Sequence, residues 1–424
     1  MTALLASLLS TLARLHLRRF RPIIVGITGN AGKTTTKDAI AAVLSAKFRV
    51  RATGGNLNNE LGMPATIIAD VADEYYRTGG TPLFWAKVFA RGVVGWLASS
   101  AAYPEVLVLE YGADRPGDIK RMTGLFAPNV GVVTRVGEIP VHVEFFASAQ
   151  ELADEKAALV EAVPTDGLVV LNADDLTVLD MRTRAQSAVT TYGFGAGARV
   201  HIDEFVSDVG GIRFNVTDHA TMPVRIRGTI GKGAALAAGA AVAVGSHFGI
   251  GLAQASEALS RMSPPPGRLR ILPGIKQTTI VDDTYNSSPA AVHLALDTIR
   301  ELKGRKVIVL GDMKELGEHS PKAHQEAGTM AAAIASVLVC VGDGGRLMAE
   351  AASNQLPVEN IHWFVDSQIA APRVQRLLRS GDIVLVKGSQ SMRMERIVRE
   401  IMAEPQKASE LLVRQSTRWL ARTP

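Results

Sequence analysis

Apolar residues fall along this chain in short runs of four or five, separated by stretches in which they recur every three or four positions. Residues 21–29 (RPIIVGITG), 106–109, 130–133 and 168–171 are β-branched or leucine-rich runs. They are too short for helices and read as buried strands. Between them, residues 34–48 and 149–163 carry helical spacing. Alternation of this kind predicts a mostly parallel sheet covered by helices. Residues 197–228 change character. Segments 213–216 and 223–227 alternate apolar with polar and predict a small antiparallel sheet, and the alanine-rich stretch 234–245 predicts a close-packed helix. At 262–268 (MSPPPGR) three prolines and a glycine make a stiff connector, where the main domain boundary is placed. Beyond it, residues 307–310, 337–341 and 383–386 predict strands of a second, Rossmann-like α/β sheet. The predicted organisation is an amphipathic helix over 1–21, a central domain over 22–265 with an insertion near 76–103, a C-terminal domain over 266–404 and a helical tail over 405–424.

The 424 residues suffice for two or three domains with their own cores, and 47% apolar with 21% charged residues excludes a disordered chain. A net charge of +5 suits anionic ligands such as nucleotides. The charge is not gathered into one long basic run, so nucleic acid is not expected as a partner. The single cysteine, Cys340, excludes a disulfide framework and a cysteine metal site, which fits a reducing cytoplasm. Residues 2–12 are apolar, with Arg14, Arg18, Arg19 and Arg21 after them. A secretory signal has the opposite order, and the stretch is too short to span a bilayer. A second amphipathic segment, 82–100, places Trp85, Val88, Phe89, Val93 and Trp96 near one helical face with Lys87 and Arg91 elsewhere. Aromatics with flanking cations suit peripheral contact at the inner face of a membrane. Packing on the protein or on a partner is the other reading.

The strongest chemical signal is Thr28-Gly29-Asn30-Ala31-Gly32-Lys33-Thr34-Thr35, following a predicted strand. Glycines let the backbone curl so that its N–H groups face a phosphate, and the following helix adds its dipole. Lys33 would neutralise the β- and γ-phosphates and Thr34 would offer its hydroxyl to Mg²⁺. Residues 53–64 (TGGNLNNELGMP) bring Asn56, Asn58 and Asn59, neutral donors and acceptors for a polar substrate. Glu110 ends an apolar strand, where α/β sheets place ligands, and supplies a hard oxygen for Mg²⁺. His142 and Lys156 stand fourteen residues apart. Taken singly, such a histidine reads as structural and such a lysine as solvated.

The compact TGxxGKT form resembles that of the Mur ligases, and the resemblance extends through most of the chain, closest to the D-alanyl-D-alanine-adding type. It implies a P-loop central ATPase domain with a mostly parallel sheet and a Rossmann-like C-terminal α/β domain. It further implies ligation of a carboxylate to an amine through an acyl-phosphate, yielding ADP and phosphate. The cofactors implied are ATP and two Mg²⁺, and the substrates a peptidoglycan precursor peptide and D-alanyl-D-alanine. Glu110 matches a magnesium ligand. His142 and Lys156 match a catalytic pair whose lysine is carbamylated and binds metal. Pro266-Gly267-Arg268 resembles the family hinge whose arginine approaches the nucleotide. Residues 281–289 (VDDTYNSSP) resemble I-D-D-S-Y-N-A-N-P and assign Asp283, Tyr285 and Asn286 to nucleotide contacts. Residues 311–317 (GDMKELG) and 386–395 (VKGSQSMRME) are similar to C-terminal signatures and assign Asp312, Lys387 and Ser389 to substrate.

Three departures stand out. Thr134 is followed by Arg135 where the family has Asn, with two extra residues between Gly137 and His142. The adenine-holding Gly-x-His-Asn-x-x-Asn segment reads Gly231-Lys-Gly-Ala-Ala-Leu-Ala237. Only about two dozen residues precede the P-loop strand, where peptidoglycan ligases carry a UDP-sugar domain. This leads to the expectation that UDP is not required, the acceptor being non-UDP or lipid-linked, or else that a partner subunit supplies recognition. A non-catalytic ATP-binding switch is the rival of another class. The presence of Lys33, Glu110 and Lys156 speaks against it.

Overall fold

The computed structural model describes residues 2–55, 57–97, 100–113, 115–136, 146 and 148–421. Nine strands form the first sheet: β1 (Ile23–Thr28), β2 (Val50–Ala52), β3 (Val106–Glu110), β4 (Val130–Val133), β5 (Leu168–Asn172), β6 (Ala188–Gly193), β7 (Val200–Asp208), β8 (Gly211–Asp218) and β9 (Ala220–Ile226). Their order is β2-β3-β1-β4-β5-β6-β7-β8-β9. From β2 to β7 every pairing is parallel. Strands β3, β4 and β5 are buried along their whole length because helices cover both faces. The helices are α1 (Thr2–Phe20), α2 (Lys33–Leu44), α3 (Gly62–Ile68), α4 (Ala72–Thr78), α5 (Pro82–Leu97), α6 (Asp118–Leu125), α7 (Ala149–Glu161), α8 (Leu176–Asp180), α9 (Lys232–His247) and α10 (Leu252–Ser260). Side chains alternate along each strand, so Val25, Ile27, Val106 and Val108 meet α2 and α9, while Ile24, Leu107 and Leu109 meet α1, α3, α5 and α6.

The small antiparallel set of strands expected at 197–228 is present, but as an extension of the main sheet. Tyr192 pairs with Val200 and Gly193 with His201, so β7 continues the main sheet and β8 and β9 follow it antiparallel. Alternation reports that one face is buried, not which strand lies alongside. The polar edge faces solvent, and the apolar positions pack on the alanine-rich α9.

The second amphipathic segment is split between two environments. Trp85 and Val88 are buried, whereas Phe89 and Val93 on the same helix are exposed. Helix α1 buries Leu9, Leu12 and Ala13 against the same core. Lys87 and Arg91 both pair with Glu74 of α4, at 3.4 and 2.7 Å. No helix among the described residues is long and apolar enough to cross a membrane.

After the proline-rich connector come β10 (Arg270–Pro273), β11 (Thr279–Asp283), β12 (Lys306–Gly311), β13 (Val337–Val341), β14 (Ile361–Phe364) and β15 (Ile383–Lys387). They form a six-stranded sheet in the order β10-β11-β15-β12-β13-β14, parallel except for β10. The expected helical tail is a set of short turns, Pro405–Lys407, Ala408–Leu411 and Thr417–Leu420. It braces both halves. Arg414 donates to the carbonyls of Thr284 and Tyr285 and pairs with buried Glu395 at 2.8 Å, while the turn Thr417–Leu420 packs on α4 of the central domain.

Candidate active site

The chain leaves β1 at Thr28, curls through residues 29–32 and enters α2 at Lys33. Gly29 has φ 137° and Gly32 φ 87°, conformations that side chains resist. A Cβ on Gly29 would also collide with Thr134 Oγ1. The curl is held from the neighbouring strands. Thr134 Oγ1 lies 2.7 Å from Ala31 O, Asn30 Nδ2 donates to Val136 O at 2.6 Å, and Thr28 Oγ1 donates to Tyr111 O at 2.9 Å. Asn172 and Asp175 in turn fix the 134–136 segment, through Nδ2 to Thr134 O at 2.9 Å and Oδ2 from Val136 N at 3.0 Å. The loop therefore presents the first turn of α2 in a fixed direction, and a helix N-terminus of this kind is an anion site. Lys33 Nζ donates to Gly29 O at 2.6 Å, and Thr34 and Thr35 sit half-buried on that first turn. Gly29→Ala is expected to raise the ATP dissociation constant by about tenfold or more through the strained loop, while the secondary structure persists; calorimetric titration checks this, and an unchanged constant would show that the curl is dispensable.

Glu110 ends β3, in register with Ile27 of β1 and so beside the loop. Its Oε1 is buried, makes no hydrogen bond and lies 3.4 Å from Lys37 Nζ. Lys37 also lies 3.2 Å from Asp38 Oδ1. Burial pushes the Asp38 carboxyl up from its ordinary value, against the pull of Lys37. The C-terminal domain closes over this cluster. Arg268 stacks 4.0 Å above the Tyr285 ring, and its Nε is buried without a hydrogen-bond partner. Burial raises the Tyr285 hydroxyl, Arg268 lowers it, and Glu110 across the cleft raises it again.

The remaining candidates divide. Asp283, Lys387, Ser389 and Asp312 gather at the ends of their strands and bond to one another's surroundings. Lys387 Nζ reaches Asp283 Oδ2 at 2.6 Å and Asn286 O at 3.0 Å, and Asp283 Oδ1 accepts from Leu269 N at 3.3 Å. Ser389 Oγ accepts from Lys314 N, while Asp312 accepts from Gly345 N and Lys314 Nζ. Asn286 is exposed. Next to this group, buried Asp282 accepts from the hinge amide of Gly267 at 3.1 Å, and burial pushes its carboxyl up to about 6. Asn58 lies against Gly112, two residues beyond Glu110, whereas the Asn59 side-chain oxygen accepts from Leu61 N and Gly62 N at the start of α3. Lys156 is buried on α7. Asn56 and His142 lie outside the described residues. Sequence reasoning passed over Lys37, Asp38, Thr134, Asn172, Asp175 and Arg414. Of these, Lys37 was within reach, since it stands four residues after Lys33 on the same helix face.

Among the described residues no group of three or more histidine, cysteine, aspartate or glutamate side chains gathers. A buried carboxylate oxygen without a hydrogen-bond partner beside a hydroxyl-bearing anion loop nevertheless fits a hard cation that completes its shell with phosphate oxygens.

The sequence and fold are similar to those of known proteins. Residues 27–76 and 96–245 match the Mur ligase middle domain, and residues 267–390 match the Mur ligase, glutamate ligase domain. The chain belongs to the Mur ligase family and is an ATP-dependent carbon–nitrogen ligase. It is 31% identical to the UDP-N-acetylmuramoyl-tripeptide–D-alanyl-D-alanine ligase of Mycobacterium bovis, over 90% of this chain and 73% of that one. With the enzyme of the same name from Bacillus subtilis the identity is 28%, over 94% of this chain and 79% of the relative. Among solved structures it is similar to the MurF ligase of Thermotoga maritima in complex with ADP, with a TM-score of 0.78 and 26% identity over 95% of this chain and 84% of that one. The family match passes over residues 77–95, which hold most of α5.

Proposed function

We propose that this ligase joins D-alanyl-D-alanine to the peptide of a UDP-N-acetylmuramoyl-tripeptide or a close analogue, the substrates named for its relatives. The observation that carries the reading is the juxtaposition of the Gly29–Thr34 loop, the unsatisfied Glu110 oxygen and, from the other domain, Arg268 and Tyr285. In this reading the amides of Gly32 to Thr35 cradle the phosphates, while Asn30 and Ala31, whose own amides donate to Arg135 O, shape the curl. Lys33 exchanges Gly29 O for phosphoryl oxygens. Arg268, Asp283, Tyr285 and Asn286 form the nucleotide wall of the C-terminal domain. Two Mg²⁺, held by Thr34, Glu110, His142 and a carbamylated Lys156, would spread the charge of the transferring phosphoryl group.

The acceptor carboxylate attacks the γ-phosphorus and the bond to the β-phosphate oxygen breaks, releasing ADP and leaving an acyl-phosphate. The amine of the second substrate then attacks the acyl carbon. The carbon–oxygen bond to phosphate breaks, phosphate leaves, and the ammonium proton passes to solvent. Asn58, beside Gly112, together with Asn56 and Asn59 would position the peptide, and Asp312, Lys387 and Ser389 would receive the second substrate. Closure of Arg268 over Glu110 excludes the water that would hydrolyse the intermediate.

The test is phosphate release by the purified chain with ATP, Mg²⁺ and both substrates. Release that requires both supports the reading. Release unaffected by either points to a nucleotide switch, and equal rates with the peptide lacking UDP show that the nucleotide is not recognised. Carbamylation of Lys156 carries its own expected outcome. Lys156→Ala lowers turnover on the order of 10²-fold, and a short carboxylic acid restores part of it by supplying the missing oxygens. Full activity of that variant, or no trace of a carbamate in the intact mass at high bicarbonate, removes the modified lysine from the mechanism.

A further inference from the structure

Eight of the seventeen large hydrophobic side chains exposed among the described residues lie on α1 and α5. The two helices run side by side in the same direction. Leu12 packs where a Cβ on Gly92 would sit, His16 Nε2 meets Gly92 O at 2.9 Å, and Arg19 stacks 5.0 Å over Trp96, so the contacts advance together along both chains. The absence of a side chain at Gly92 is what allows this approach. Below the pair lies the core, where Leu9, Leu12, Phe84 and Val88 are buried. On the outside Leu4, Leu8 and Leu15 of α1 and Phe89, Val93 and Leu97 of α5 are all at least 40% exposed. At helical periodicity Leu4, Leu8 and Leu15 fall on one stripe of α1. Phe89, Val93 and Leu97 fall on one stripe of α5, on the flank nearer α1. Exposed apolar side chains gathered on one face in this way mark an interaction site.

Charge decides among occupants. Neither helix contains an acidic residue. Arg14 and Arg18 of α1 are exposed, and Arg21 follows directly. The cations that would sit on the opposite flank, Lys87 and Arg91, are turned to Glu74. The rim that α1 supplies is therefore cationic; Glu60, which lines a pocket beside Arg14, is paired with Arg121 at 3.4 Å. A second copy related by a two-fold axis would set these arginines against themselves. An anionic lipid surface complements both features, with acyl chains for the leucines, phenylalanine and valine and acidic headgroups for the arginines. We propose that the α1–α5 face docks this ligase on an anionic membrane surface, lying in the interface and not crossing it. The proposal is independent of the substrate assignment, because vesicle binding is read without turnover.

The experiment is co-sedimentation of the full chain with phosphatidylcholine vesicles with or without phosphatidylglycerol, at low salt. Binding is expected only with phosphatidylglycerol and is expected to weaken as added salt screens the arginines. Phe89→Glu with Val93→Glu is expected to lower the partition coefficient by about tenfold or more, with phosphate release on soluble substrates unchanged. Arg18→Glu, which leaves the apolar patch intact, is expected to weaken binding less. Charge reversal at Lys87 is expected to leave it unchanged. No binding of the parent chain to either vesicle overturns the proposal. So does a dimer, seen by light scattering, that Val93→Glu disperses, since the face would then be an interface between copies.

Discussion

Lys33→Ala is expected to lower kcat by about 10²- to 10³-fold with little change in melting temperature. Transfer of a phosphoryl group is carried mainly by positioning and charge stabilisation, so a missing ammonium at the phosphates is felt fully in the rate. The curl itself survives the change, because Thr134, Val136 and Tyr111 hold it through Thr28, Asn30 and Ala31. Lys33→Arg separates charge from shape. A bulkier planar guanidinium cannot take the place of an ammonium folded against Gly29 O at 2.6 Å, and the arginine variant is expected to remain severely impaired. Steady-state phosphate release with both variants, alongside thermal melts, is the measurement. Ligation near the parent rate in the alanine variant would end the assignment of this loop to the transferred phosphate.

Glu395→Ala is expected to have the largest effect on stability. The carboxylate is fully buried between two guanidiniums, with Arg393 Nε on Oε1 at 2.6 Å and Arg414 Nη2 on Oε2 at 2.8 Å. Removing it leaves two buried guanidiniums with carbonyl acceptors but without the carboxylate that balances their charge, a loss on the order of 3–5 kcal/mol. Arg414 is also the group that ties the tail to the carbonyls of Thr284 and Tyr285, next to the nucleotide wall. The transition assigned to the C-terminal domain should move down by about 10 °C or more. A calorimetric trace that overlays the parent's would show that the arginines find other partners.

The strands and the phosphate loop were legible because each is a local pattern. An apolar run ending in Gly29-Asn-Ala-Gly32-Lys33 carries both its structure and its chemistry in adjacent positions. The rest depends on distance along the chain. Lys387 meets Asp283 across 104 positions, and nothing in either segment announces the pairing. The continuity of β6 into β7 rests on two register pairs, Tyr192 with Val200 and Gly193 with His201, that periodicity does not encode. Segment 82–100 misled in a different way. A helix with apolar residues nearly all round has no single inner face in its sequence, and only the position of α1 and the core decides that Val88 is buried and Val93 is not. A structural role for Asn59 was also open to reading, since an asparagine placed just ahead of a helical run commonly satisfies its first amides, as Asn59 Oδ1 does for Leu61 N and Gly62 N.

The strand order of the C-terminal sheet also governs how it assembles. β11 and β12 are separated in space by β15, whose residues follow β12 by more than seventy positions. On a growing chain the two earlier strands emerge with facing edges and nothing to fill the slot between them. Thr279, Ile280 and Val281 pair with β10 on one edge, but their register against the parallel strands is set only when Ile383, Val384 and Leu385 have been synthesised and threaded into place. Pairings of such high sequence separation fold slowly, and the waiting edges are open to other chains meanwhile. Production of this protein should therefore favour slow translation and low temperature, and chains interrupted before residue 383 should be recovered mainly as aggregates.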